Sequence, residues 1–247
     1  MRWLSWILTL IANPQSLGFA FAKPLFHLCG FGQSQDAAGA DVQVAALSDP
    51  VINTSGDDLT IPELEHLVAY SAGVSSGGTA LARLSTPSLL KYTRLFMAPV
   101  NGNADADAEP DSPAAVGNLL MNPLRLKNNE TADFTINSNT SAVAFQWGLL
   151  WLADGPISPL TGQEIFTLRL TNSDTLSVDV WTNGALTPAD NLPQGTYAVV
   201  GMRAESAGLV AARLVPRGGS GWRPGCLGSD TDSQVEHPIF RYGSMGV

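Results

Sequence analysis

The chain has 247 residues, 45% of them hydrophobic and only 14% charged, with a formal net charge of −9. That length suits one large all-β domain with an appendage, or two small domains, and allows a sizeable core. The acidic balance argues against a protein that coats nucleic acid, whose affinity comes from Lys and Arg neutralising phosphates. So few charges do little to keep copies apart, which points to extensive contacts with other subunits.

The chain opens with MRWLSWILTLIANPQSLGFAFA. Arg2 precedes an apolar run from Trp3 to Ala12, and Ala20-Phe21-Ala22 has the small-x-small form of a cleavage site. Together these sketch a secretory signal peptide, although Pro14-Gln15-Ser16 interrupts the pattern. The alternatives are a hydrophobic arm that packs on a neighbouring chain, a start set too far upstream, or a Trp-rich anchor at a membrane interface. Gln33 to Asp58 is rich in Gln, Ala, Gly, Ser and Asp and reads as a linker around one apolar patch, Val42 to Leu47. Residues 1–58 are therefore expected to be a leader or arm followed by a flexible linker.

Residues 59–92 are expected to form a short helical segment. Thr60 is placed to N-cap, Pro62 sits in the first turn, and Glu63 and Glu65 favour the positive end of the helix dipole. Ile61, Leu64, Leu67, Val68 and Ser71 fall on one helical face, and Gly73 ends the segment. Thr86-Pro87 opens another short turn.

From Thr93 onward the pattern changes to short strands. They are expected at Thr93–Val100, at Asn118–Leu126 (edge or bulged because of Pro123), at Glu130–Asn137 and at Ser141–Asp154. Further strands are expected at Glu164–Thr171, Thr175–Thr182, Thr196–Ala204, Gly208–Val215 and Pro238–Tyr242. Ser141–Asp154, SAVAFQWGLLWLAD, is apolar almost throughout and carries two of the six tryptophans, Trp147 and Trp151. Asp154-Gly155-Pro156 closes it like a turn, so it reads as the central strand. Turn signals recurring at about 8 to 12 residues, with no strand–helix alternation, predict a mainly β fold. The expected architecture is an antiparallel β-sandwich of jelly-roll type over residues 93–247, with the short helical segment N-terminal to it. The chain ends at Gly246-Val247 without a polar tail, so a final strand could lie beyond it.

Candidate chemistry is sparse. Gly73-Val74-Ser75-Ser76-Gly77 matches the G-x-S-x-G nucleophile pattern, and Asp190 or Asp230 and then His237 follow in the order a hydrolase needs. The strand–turn–helix setting that strains such a serine is absent, so a Gly/Ser loop is the simpler reading. Asp105, Asp107, Glu109 and Asp111 alternate like Ca²⁺ ligands but lack the EF-hand glycine and bidentate Glu, which favours a solvated acidic loop. His27, His66 and His237 stand apart, which argues against zinc. Asn53, Asn129 and Asn139 head glycosylation sequons. Cys29 and Cys226 make no disulfide framework, and two free buried thiols are the simpler reading. Arg217, Trp222 and Arg223, with Arg241 and Tyr242, suggest either an anionic-ligand surface or turns whose guanidinium groups bond carbonyls. No catalytic, cofactor-binding or metal residues are assigned.

GLLWLADGP (148–156), LPQGTYAVVGMRAESAGLVAARLV (192–215) and WRPG (222–225) resemble the texture of jelly-roll virion proteins, especially bacteriophage capsid proteins. The resemblance runs from Gly148 to Gly246, under half the chain, and carries over no functional residue. It implies a non-enzymatic shell subunit in the virion, whose partners are other copies of itself and other virion proteins. With only Arg2 and Lys23 as basic residues in the first 60, direct genome contact is not expected, nor is a small-molecule substrate or cofactor. The alternative is a secreted or cell-surface β-sandwich, an adhesin or carbohydrate-binding module. In that reading Trp147, Trp151, Trp181 and Trp222 are candidate sugar platforms, although Trp147 and Trp151 share one face of the apolar strand and read better as core.

Overall fold

The computed structural model describes residues 4–12, 25–36, 40–74, 79–90, 95–96, 100–101, 116–119, 122–138, 143–154, 165–177, 179–189, 191, 194, 197–206, 210–215, 221–229 and 240–241. In chain order the first strands are β1 (Leu4–Ala12), β2 (Phe26–Gln35), β3 (Val42–Gln43), β4 (Thr54–Ser55), β5 (Asp58–Thr60), β6 (His66–Val74) and β7 (Thr79–Ser85). One helical turn, α1 (Pro87–Leu90), leads to β8 (Leu95–Phe96), β9 (Val100–Asn101), β10 (Val116–Asn118), β11 (Leu124–Arg125), β12 (Thr131–Ser138) and β13 (Ala144–Ala153). The remainder are β14 (Ile165–Asn172), β15 (Thr187–Pro188), β16 (Tyr197–Glu205), β17 (Ala211–Arg213), β18 (Gly225–Ser229) and β19 (Phe240–Arg241).

The protein is mainly β and its sheets are built from antiparallel pairs, the short β16–β18 contact being parallel. A middle sheet runs β10-β6-β13-β2, with β11 also on β6. A second runs β4-β5-β12-β7-β8, with β3 on β12 and β9 on β7. A third runs β15-β14-β1-β16-β18-β17, with β19 on β16. Residues 1–92 thus supply strands to all three sheets: β1 pairs along both edges, with β14 and β16, and β2 and β6 flank β13.

The expected central strand is β13, and its two faces enter two different cores. Leu150 and Leu152 pack with Cys29, Phe31, Leu84, Phe134 and Ile136 toward the second sheet. Trp147, Leu149, Trp151 and Ala153 pack with Leu28, Leu168, Leu170, Met202 and Cys226 toward the third. A strand buried on both sides has no reason to alternate, which is why its sequence is a continuous apolar run. Trp151 satisfies its indole by donating from Nε1 to the Gly225 carbonyl at 2.8 Å, tying β13 to β18.

The same physics corrects the helix expected from Thr60 to Gly73. Thr60 ends β5, residues 61–65 are irregular, and His66–Val74 is the strand paired with β13. Leu67 and Ala72 face one core, Val68 and Ala69 the other. Apolar residues on both faces mimic helical spacing. A register shift between Trp151 and Leu152 inserts the extra residue that turns Val68 and Ala69 to the same core. Within 59–92 the only described helix is α1. Thr86 caps it, with Leu89 N–H donating to the Thr86 carbonyl at 3.0 Å, and the buried Glu130 accepts from Thr86 Oγ1 and Ser88 N–H.

The strand expected at Thr175–Thr182 is a further correction. The described part of 173–186 is an exposed excursion leaving β14. Asn172 Oδ1 accepts from Asp174 N–H at 2.6 Å, and Asn172 Nδ2 donates to the Ala185 carbonyl at 3.0 Å, so an Asx turn ends the strand and closes the loop. Pro123 interrupts the expected 118–126 strand, leaving β10 and β11 as separate short partners of β6.

Candidate functional site

β2 is an edge strand of the middle sheet, and an open edge offers its backbone to other chains. Here irregular segments close it. Leu28 N–H donates to the Arg223 carbonyl and Gly32 N–H to that of Ala45, each at 2.9 Å, while Leu47 N–H donates to the Gly30 carbonyl at 2.9 Å. Around this edge lies a cluster of buried, hydrogen-bonded polar side chains.

His27 and Asp49 are both buried at its centre. His27 Nδ1 accepts from Arg223 N–H at 3.1 Å, which leaves the ring proton on Nε2, and Nε2 donates to Asp49 Oδ2 at 3.1 Å. Asp49 Oδ1 accepts from Val51 N–H at 2.8 Å and Ile52 N–H at 3.2 Å. Arg213 forms an ion pair with Asp49 Oδ2, and its Nη1 also donates to the Leu28 carbonyl at 3.1 Å. Burial alone would raise the Asp49 carboxyl, but the His27 ring, the Val51 N–H and the Arg213 charge outweigh it and hold it well below the usual carboxylate range. Burial lowers the Arg213 proton affinity, against the pull of Asp49.

Aromatic rings frame the cluster. The Arg213 guanidinium lies 3.8 Å from the Trp181 ring centroid, and Trp222 meets His27 edge-on at 5.6 Å. Three donors are left over: Arg213 Nε, Arg223 Nε and Trp181 Nε1 are buried and have no hydrogen-bond partner among the described residues.

As a catalytic assembly the cluster is incomplete. An acid–His pair acts on a nucleophile through the second ring nitrogen, and in His27 that nitrogen is engaged by a main-chain N–H. Its evident role is to join β2, the 49–52 turn, β17 and the segment before β18.

The sequence candidates fall elsewhere. Gly73 and Val74 end β6, and Thr79 opens β7, so the G-x-S-x-G pattern sits between two strands; Ser75, Asp190, Asp230 and His237 lie outside the described residues. So do Asp105, Asp107, Glu109 and Asp111, along with Asn139, Arg217 and Tyr242. Asn53 and Asn129 are exposed, and His66 stands on a strand rather than a helix. Trp147 and Trp151 are core, whereas Trp181 and Trp222 are half-buried. Cys29 and Cys226 are free buried thiols. Trp222 and Arg223 stood out in the sequence as aromatic and basic neighbours, whereas the meeting of His27, Asp49 and Arg213 did not. Asp49 stands 22 residues from His27 and 164 from Arg213, with no motif spacing to signal the contact.

Compared with protein-family models, curated proteins and solved structures, the chain matches none of them.

Proposed function

We propose that this chain is a structural virion protein, a capsid shell subunit of jelly-roll type that self-assembles through β-sandwich interfaces and has no enzymatic role. The observation that carries the reading is where a charge-poor chain puts its polar groups. With 14% charged residues, the described interior ones are used to fasten strands: His27, Asp49 and Arg213 at the β2 edge, and Glu130 beneath α1. The sheets pack on two cores, and Val143, Leu176, Val180 and Val215 remain exposed as apolar contacts for neighbouring copies. Its partners are other copies and other virion proteins; the acidic charge speaks against direct genome binding, and membrane contact falls to the N-terminus.

A second reading, a secreted or cell-surface binding module, is favoured by the signal-like start and by the half-buried Trp181 and Trp222. The pairing of β1 with both β14 and β16 weighs against it, because cleavage after Ala22 would remove that strand.

Light scattering on the purified full chain, followed by negative-stain imaging, tests the proposal. Closed shells or large symmetric oligomers support assembly. A monodisperse monomer that stays monomeric when mixed with co-purifying virion proteins, and binds a glycan, would replace it with the binding module.

A further inference from the structure

Asn183-Gly184 lies exposed in the excursion that leaves β14. The residues on either side of it are anchored. Thr182 Oγ1 accepts from Ser177 N–H at 2.9 Å. Ala185 N–H donates to Asp174 Oδ2 at 3.2 Å, and the Ala185 carbonyl accepts from Asn172 Nδ2 at 3.0 Å. Between these anchors, neither Asn183 nor Gly184 makes a hydrogen bond among the described residues. The loop closure also demands the glycine. A Cβ at residue 184 would run into the Asn172 side chain and stand 2.9 Å from Asp174 Oδ2. Asn172 and Asp174 are the groups that close the loop, so the space they fill excludes a side chain at 184. The fold therefore sets an asparagine before a residue with no side chain, whose main-chain nitrogen is untied.

We propose that Asn183 is a site of spontaneous self-modification, deamidation through a succinimide. The Gly184 main-chain nitrogen loses its proton to solvent base and attacks Asn183 Cγ. The N–Cγ bond forms, the Cγ–Nδ2 bond breaks, and the amide nitrogen leaves as ammonia. Water then opens the ring. Attack at Cγ gives aspartate, and attack at the Asn183 main-chain carbonyl gives isoaspartate, whose chain runs through Cβ and Cγ. Water is the only co-reactant. A side chain on residue 184 would hinder ring closure, and a hydrogen bond to its N–H would hold the nucleophile back; this loop has neither. The product adds a carboxylate to a loop that already carries Asp174 and Asp179. Isoaspartate also lengthens the main chain between the Thr182 and Ala185 anchors, beside Trp181, the ring that stacks on Arg213. The site does not depend on the shell reading, and either can fail alone.

The chain holds its own control. Asn101-Gly102 is the other Asn-Gly pair in the sequence, and Asn101 lies in β9, paired with β7. Backbone held in a sheet opens less readily than an untied loop. The folded full chain is kept warm in mildly alkaline buffer, sampled over days and mapped by peptide mass spectrometry. Aspartate and isoaspartate are expected to accumulate at Asn183 ahead of Asn101, and ion exchange is expected to show a new, more acidic form of the protein. Asn183→Gln is expected to lose that form, because the longer side chain closes a larger ring far more slowly. Asn183 is exposed and makes no hydrogen bond among the described residues, so this variant is expected to fold. In denaturant, Asn183 and Asn101 are expected to react at similar rates. An Asn183 amide that survives in the folded protein but is lost in denaturant would overturn the proposal, as would Asn101 reacting first in the folded protein.

Discussion

Gly73 stands directly opposite Trp147 in the β6–β13 pairing, and the indole occupies the space a Cβ at Gly73 would need. The glycine is there for the ring, which is buried in the core shared with the third sheet. Gly73→Val is expected to cost about 1–3 kcal/mol through overpacking. Urea midpoints will measure it, and in a Trp147→Leu background the same change should cost less, since the two residues couple. Equal costs in both backgrounds would refute the contact.

Removing the carboxylate from the β2 cluster leaves Arg213 buried and unpaired. Asp49→Asn is expected to cost about 3–5 kcal/mol, the usual consequence of breaking a buried pair from one side. The folded-state proton affinity of Asp49 is depressed, so its stabilisation is fully present above the unfolded carboxyl value near 4 and is lost as pH falls below it. Acid unfolding of Asp49→Asn should therefore show a shallower loss below about pH 4 than the wild type.

Asp133 gives the opposite sign. It faces Asp58 across the β5–β12 pairing, and burial, the hydrogen bond with Asp58 and the charges of Asp58 and Asp57 raise its carboxyl to about 6. The folded state binds the proton more tightly, so this contribution is present below about pH 4 and is lost as pH rises through about 6. Asp133→Asn should flatten that part of the stability profile. An unchanged slope between those pH values would rule the pair out as its source.

Cys29 and Cys226 lie in different cores, on opposite sides of the middle sheet, and burial pushes the Cys226 thiol up to about 12. Cys29 is raised as well, chiefly by burial. Neither thiol should react with a disulfide reagent in the native protein, both should react after denaturation, and reductant should leave Tm unchanged. Fast native labelling would contradict this burial.

Glu130 is expected to matter more than its place in a turn suggests. Its oxygens accept from Thr86 Oγ1 at 3.1 Å and from the Ser88 and Lys127 N–H groups at 3.0 Å each. Glu130→Ala leaves these donors unsatisfied and should cost about 1–3 kcal/mol in chemical denaturation, whereas Thr86→Ala should cost less.

The residues by themselves determined where most strands after Thr93 lie. Alternation marked Thr131–Ser138 and Ile165–Asn172, and the long apolar run marked Ala144–Ala153, because burial on one face or on both leaves those patterns in any β chain. They also placed the α1 turn, through Thr86 and Pro87, and the interruption at Pro123. The tertiary structure alone decided the rest. His66–Val74 has helical spacing in isolation and becomes a strand because it pairs with β13 and the two cores bring apolar neighbours to both of its faces. Thr175–Thr182 alternates like a strand yet stays in a loop, because the Asx turn at Asn172 directs the chain away from the sheet. His27, Asp49 and Arg213 meet only when three distant segments close the β2 edge. The physical reason is the same in each case: propensity and periodicity are properties of neighbours along the chain, whereas buried faces and shared protons belong to neighbours in space.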